Sequence, residues 1–226
     1  MNYNSIKKGR FLNRPNRFTA QVEIDGEEHI VHVKNTGRCK ELLVPDATVF
    51  LEKSSNPLRK TQYDLIAVYK GKVLINMDSQ APNKAVGEWI KNGGLLENPT
   101  IIKPETKYGD SRLDFYIENE SEKMYAEVKG VTLEIDGTAK FPDAPTERGR
   151  KHLGELIKAK QNGYRSAVIF VIQMKGCGCF TPNTQRDPAF AKELKRAAEN
   201  GVEIIAVDCI ITPDSITIDE RIKVLI

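Results

Sequence analysis

The sequence predicts an α+β protein in two parts. A small N-terminal β-barrel of OB type covers residues 1–80, and a mixed α/β domain covers 81–226. Three observations carry this reading. The first 80 residues hold five short β-rich runs separated by turn signals. From residue 81 onward, helical spacing alternates with continuous apolar runs of the kind found in a buried sheet. The composition is that of a globular chain: 226 residues, 40% hydrophobic and 29% charged, with 16 Gly and 11 Pro.

In the first half, the alternation over 18–24 ends at Asp25-Gly26, a hairpin turn signal. The run 29–33 follows and is broken at Asn35, Thr36 and Gly37. Runs over 47–52, 63–69 and 73–77 complete the set, with Gly71 between the last two. So many strands in so short a span suit a small closed barrel such as an OB-fold, and an SH3-like barrel fits nearly as well. Lys7, Lys8 and Arg10 read as a mobile terminus.

In the second half, Ala81-Pro82 ends the β region, and helical spacing over 83–91 stops at Asn92-Gly93-Gly94. Residues 113–118 and 124–129 read as paired strands. A helix over 146–162 stops at Asn162-Gly163. The apolar run 167–172 predicts a strand buried on both faces. Asp187-Pro188 supplies an N-cap and a first-turn proline for a helix ending at Asn200-Gly201. A second buried strand covers 202–207.

No apolar stretch reaches the roughly 20 residues that a membrane helix needs, and the polar first ten residues do not form a secretory signal. Cys39, Cys177, Cys179 and Cys209 do not make a disulfide framework in a chain of this length. The expectation is a soluble cytoplasmic protein without disulfides or a membrane partner, its oligomeric state open. The net charge of +3 hides a gradient: Lys7, Lys8, Arg10, Arg14 and Arg17 all precede the first acidic residue, Glu23. A second basic stretch runs over 140–165. Such patches suit a polyanion partner, and equally suit ordinary solvated cations.

The segment richest in chemistry is Asp114 followed by Glu127-Val128-Lys129. Alternate residues of a strand share a face. If 113–118 pairs with 124–129, then Asp114, Glu127 and Lys129 meet on one surface. Two carboxylates at one point repel, and a bound Mg²⁺ or Mn²⁺ removes the conflict with hard oxygen ligands. The lysine is then placed to act on a water or on a phosphate. This is the arrangement of the restriction-endonuclease-like superfamily: an acid, a variable gap, then Glu or Asp, any residue, and Lys (PD-(D/E)xK). The competing reading is a solvated salt bridge.

In the helix that follows, Leu153, Leu156 and Ile157 form the buried stripe, and Gly149 beside it permits close packing. Arg148, His152 and Glu155 fall on one flank. Arg148 and His152 are placed to contact a phosphate, or the three form a local salt-bridge ladder. Arg150 and Lys151 add basic character to the first turns. Cys177-Gly178-Cys179 lacks zinc-knuckle spacing and reads as a hairpin turn. There is no glycine-rich phosphate loop, dinucleotide fingerprint or helix-turn-helix.

The chain resembles the sugar fermentation stimulation protein family (SfsA). The blocks that carry the resemblance run in order along the chain: Arg14-Pro15-Asn16-Arg17-Phe18; His32 with Asn35-Thr36-Gly37-Arg38 and Glu41-Leu42; Arg59-Lys60-Thr61 with Tyr63; Pro82-Asn83; Ser111-Arg112-Leu113-Asp114-Phe115; Glu127-Val128-Lys129 with Val131-Thr132-Leu133; the highly specific block 141–153; and Asp187-Pro188 with Phe190. The resemblance implies an OB-fold-like barrel followed by a restriction-endonuclease-like domain. It implies DNA binding of low sequence specificity and a link to the regulation of sugar use. It places Asp114, Glu127 and Lys129 on the nuclease-like site, with the Val128 carbonyl as a further metal ligand and Glu88 as an extra acidic one. Leu113 stands where the superfamily motif has Pro.

The resulting expectation is a nucleic-acid-binding protein with a nuclease-type site using Mg²⁺ or Mn²⁺. Arg14, Arg17, Arg38, Lys40, Arg59 and Lys60 are expected to contact phosphate, with Asn16 and Asn35 as polar partners and Phe18 or Tyr63 as stacking candidates. Arg148, Arg150, Lys151 and His152 are expected to line the cleft. DNA is the expected polymer, single- or double-stranded, with RNA as a third substrate class. The alternative is a non-enzymatic DNA-binding regulator in which the carboxylate pair is a relic or a structural site.

Overall fold

The computed structural model describes residues 1–35 and 37–226. Thr36, in the middle of the break after the second barrel run, lies outside them.

The barrel is built from β1 (Ile6–Asn13), β2 (Thr19–Ile24), β3 (Glu27–Val33), β4 (Thr48–Lys53) and β5 (Tyr63–Lys70). Antiparallel pairs run β3-β2-β1-β4-β5, and a parallel pair between β3 and β5 closes the cylinder. This is OB topology, and closure leaves the barrel strands without a free edge. β6 (Val73–Asn76) is a spur on β5 that leads into the next domain.

One expectation is overturned here. The basic N-terminus is not a mobile tail: it is β1, lying between β2 and β4. Its charges hid the alternation, because most of its side chains face solvent. Lys7 pairs with Asp25, and Arg10 with Glu23 and Asp46. Gly9 is required where β1 crosses its neighbours. A Cβ there would lie 2.6 Å from Val22 Cγ1 and 2.9 Å from the Glu23 carbonyl oxygen.

Helix α1 (Ala81–Lys91) starts two residues earlier than its spacing predicts, with proline in the first turn. The antiparallel strands β7 (Ile101–Tyr108), β8 (Ser111–Glu118) and β9 (Lys123–Val131) follow. β7 escaped the sequence reading because Pro104 and Glu105, with a φ of 55° at the glutamate, interrupt it. Both are tolerated because β7 is the edge of its sheet. The chain continues through β10 (Leu133–Ile135), β11 (Thr138–Phe141), α2 (Glu147–Gln161), β12 (Arg165–Ile172), β13 (Cys179–Pro182), α3 (Pro188–Glu199), β14 (Glu203–Thr212), β15 (Ser215–Arg221) and β16 (Lys223–Val224). The main sheet has the order β15-β14-β12-β9-β8-β7, with β12 parallel to both β9 and β14. A four-stranded sheet, β10-β11-β13-β16, flanks it. Cys177 and Cys179 do not make a hairpin turn. They belong to the passage from β12 into β13, which pairs in parallel with β11.

The predicted N-cap at Asp187 forms, and so does one at Thr146. The Thr146 hydroxyl accepts from the Gly149 N–H at 3.0 Å, and Asp187 accepts from the Phe190 N–H at 2.9 Å. Gly149 lets α2 approach α3, since a Cβ there would lie 3.2 Å from the Phe190 ring. Ala167, Ile169 and Val171 of β12 pack with α1, while Val168, Phe170 and Ile172 pack with α2 and α3. The α2–α3 core and the barrel interior belong to one continuous buried cluster. All four cysteines are free, and among the described residues no helix is long and apolar enough to cross a membrane.

Candidate active site and basic cavity

Ladder pairing between β8 and β9 ends at Phe115 and Ala126. Had the register continued, Asp114 would stand opposite Glu127. Instead the strands part, and the Asp114 side chain fills the gap. Its Oδ2 accepts the Val128 N–H at 2.7 Å, and its Oδ1 accepts from Asn83 Nδ2 of α1 at 2.8 Å. The N–H and C=O of a strand residue point the same way. The Val128 carbonyl therefore faces the same gap as its N–H.

Glu127 projects toward α2 and is 2% exposed. Its Oε1 accepts from Lys129 Nζ at 2.5 Å and is hydrogen-bonded to His152 Nδ1. Its Oε2 is buried with no hydrogen-bond partner among the described residues. Asp114 and Glu127 shift in opposite directions. Burial, reinforced by the Glu127 charge, raises the Asp114 carboxyl above its ordinary value. Burial also works to raise Glu127, but His152 and Lys129 outweigh it and hold that carboxyl below its ordinary range. One site thus keeps one carboxylate ionised while disfavouring the second charge.

The sequence placed Asp114, Glu127 and Lys129 together: Asp114 fills the gap, Lys129 pairs with Glu127 on the side of α2, and the Glu127 charge acts on Asp114. Glu88 lies farther along α1, in a cleft of about 520 Å³ that Asp114 also lines. Its carboxylate is taken by the Met1 ammonium at 2.5 Å. Among the described residues, no group of three or more His, Cys, Asp or Glu side chains is arranged around a common point. The gap offers two carboxylates and a carbonyl.

The cations expected to contact nucleic acid divide into two classes. Arg17, Arg38, Lys40, Lys60 and Arg148 are exposed and have no carboxylate partner among the described residues. Arg17, Arg38 and Lys40, together with Arg14, line a cavity of about 610 Å³ that reaches Ala144 of the second domain. No acidic residue lines it. The other class has structural work. Arg14 donates to the carbonyls of Arg17, Asn35, Gly37 and Arg38, and so pins the loop after β3. Arg59 grips Asp64 through both terminal nitrogens at 2.7 and 3.0 Å. Asp64 also bonds His32; burial opposes its ionisation, but these two partners outweigh it and hold the carboxyl low. Arg150 pairs with Asp187, and Lys151 donates to the Asp110 carbonyl. Asn16 caps its own turn through the Phe18 and Thr19 N–H groups, and Asn35 bonds the Gly37 N–H and the Met77 carbonyl.

His152 departs from its expected role: it is 5% exposed and bound to Glu127, so it does not face solvent phosphate. The ladder alternative is also incomplete, since Glu155 turns away to Lys158. Asn83 as the holder of Asp114 went unread. Its only signal was its place beside Pro82 at the start of α1. Phe18 is 53% exposed beside Arg17, while Tyr63 packs on His29.

Two family models match this chain. Residues 12–77 match the SfsA N-terminal OB domain, and residues 80–215 match the sugar fermentation stimulation protein RE domain. A sugar fermentation stimulation protein homolog of Clostridium beijerinckii is 58% identical over 226 residues, covering 100% of both chains. One from Ruminiclostridium cellulolyticum is 52% identical, covering 99% of each. A solved structure described as Pyrococcus furiosus SfsA in complex with Ca²⁺ superposes with a TM-score of 0.90. It is 31% identical, over 100% of this chain and 98% of that one.

Proposed function

The chain belongs to the sugar fermentation stimulation protein family, and from that premise we propose that it binds nucleic acid, DNA first, and hydrolyses phosphodiesters at a divalent-cation site. One observation carries the reading: Glu127 Oε2 is buried without a partner, on a carboxylate held in its ionised form. An unsatisfied buried anionic oxygen is costly unless something binds it. The donors around it fit a hard cation that keeps several waters, as Mg²⁺ and Mn²⁺ do: Asp114, Glu127 and the Val128 carbonyl. The Ca²⁺ named for the Pyrococcus furiosus relative supports a site of this class.

When bound, the cation supplies a polarised phosphoryl oxygen and an activated water. The protein groups do the rest. Asn83 and the Val128 N–H hold Asp114 in place. Lys129, beside Glu127, is positioned to orient the water or to neutralise charge building on the phosphate. Arg148, exposed on the first turn of α2, is available to the phosphate backbone. The basic cavity supports binding upstream of this point, since phosphate contacts dominate the affinity of such proteins.

The experiment is cleavage of end-labelled single- and double-stranded DNA and RNA with Mg²⁺, Mn²⁺ or EDTA, with Asp114→Asn and Glu127→Gln beside the wild type. Metal-dependent products that disappear in both variants are expected. If the wild type binds DNA and never cuts, and both variants bind equally, the chain is a non-enzymatic DNA-binding regulator instead.

A further inference from the structure

His152 is the one histidine buried against the candidate site, and both of its ring nitrogens are engaged. Nδ1 meets Glu127 Oε1, and Nε2 lies 3.4 Å from Arg148 Nε. The guanidinium N–H can only donate. Nε2 must therefore present its lone pair, which leaves the ring proton on Nδ1, aimed at Glu127. The imidazole arrives there on a helix fixed at its start. Thr146 caps α2, Gly149 lets it close onto Phe190, and Asp187 accepts the Thr146 N–H at 2.8 Å. Lys129 shares Oε1 with His152, so two donors hold one carboxylate oxygen and leave Oε2 bare.

We infer that His152 is a positioning residue: as the Nδ1–H tautomer it clamps Glu127 Oε1, so that Oε2 alone is presented to the divalent cation. The inference rests on the cation reading of the site and adds a defined tautomer and a defined oxygen. Partners of this kind, one bond removed from a metal, typically change its affinity by about 10- to 100-fold. The role also links α2 to the strand gap. Arg148 reaches outward from the same turn, so one short chain of contacts joins the exposed cation to the buried carboxylate.

The test uses the geometry of the substitutes. The amide nitrogen of Asn lies as many bonds from the backbone as Nδ1, and that of Gln approximates Nε2. Mn²⁺ binding to the full chain is measured by calorimetry and by loss of the free-ion magnetic resonance signal. His152→Ala and His152→Gln are expected to weaken Mn²⁺ by about 10- to 100-fold, and His152→Asn to recover most of the loss. A purely volumetric role predicts the reverse order, because Gln is nearer to His in size, and that order overturns the inference. So does equal binding by all variants. A second readout needs no metal: nitrogen-15 spectra of the wild type should show His152 protonated on Nδ1 and bare on Nε2. The opposite tautomer overturns the assignment. If the wild type shows this tautomer but binds no Mn²⁺, the cation reading of the site fails while the clamp on Glu127 stands.

Discussion

Arg59 and Arg38 carry the same charge on the same barrel, yet their partners separate their roles. Arg59 is held by Asp64 in a two-point ion pair, whereas Arg38 stands with Lys40 at a cavity without acids. The account predicts different losses for the two. Arg38→Ala and Lys40→Ala should each flatten the salt dependence of DNA binding, by about 0.9 in log K against log salt per lost phosphate contact on duplex DNA. Arg59→Ala should leave that slope unchanged and lower the melting temperature. A change of slope in Arg59→Ala and none in the other two would contradict the division. At this scale the sequence was partly legible. Asp114, Glu127 and Lys129 could be read because strand alternation is local. The tasks of Arg14, Arg59 and His152 could not, because their partners come from other turns and strands. Arg14 spends its donors on four carbonyls, a use that no side-chain pattern announces.

At the scale of elements, the starts of α2 and α3 are tied by one carboxylate. Asp187 caps α3 through Phe190, accepts the Thr146 N–H at the start of α2, and pairs with Arg150. Burial works against its ionisation, but these donors outweigh it, and the carboxyl sits below its ordinary value of 3.8. A depressed carboxyl contributes stability that is full above the unfolded value and is lost as pH falls through the folded one. Asp187→Ala should therefore lower the melting temperature near neutrality. Loss of the cap alone costs about 0.5–2 kcal/mol. The gap between variant and wild type should begin to narrow below about pH 4 and shrink further as pH falls. A gap that does not narrow as pH falls below about 4 would contradict the role given to the charge. The helices were legible because caps, stripes and Asn-Gly stops are local signals. β1 and β7 were not: charge masks the first, and a proline with a left-handed glutamate masks the second. Both are stabilised by neighbours distant in sequence.

Across the whole molecule, the barrel and the α/β domain share one core and a buried polar junction. Gln173 Nε2 donates to Asn76 Oδ1 at 2.9 Å and to the Asp78 carbonyl at 3.1 Å, and Asp78, fully buried, pairs with Lys34 at 2.7 Å. The change of pattern near residue 80 is visible in the sequence, but this joint is not. The chain should melt in a single transition. Gln173→Ala should lower it by a few degrees, since unpaired buried acceptors cost about 1–3 kcal/mol and each kcal/mol is worth about 2–4 °C at this size. A barrel that melts separately would contradict the shared core. The joint sets the basic cavity, which reaches Ala144, beside the core that carries α2 and the strand gap, so the proposed binding and the proposed chemistry would share one frame. The central claim is that a divalent cation sits in that gap. Anomalous diffraction from crystals of the full chain soaked in Mn²⁺ tests it most directly. The account predicts a peak within ligand distance of Asp114, Glu127 Oε2 and the Val128 carbonyl. A protein that binds Mn²⁺ in solution but shows its peak elsewhere, with the gap filled only by Lys129, would contradict it.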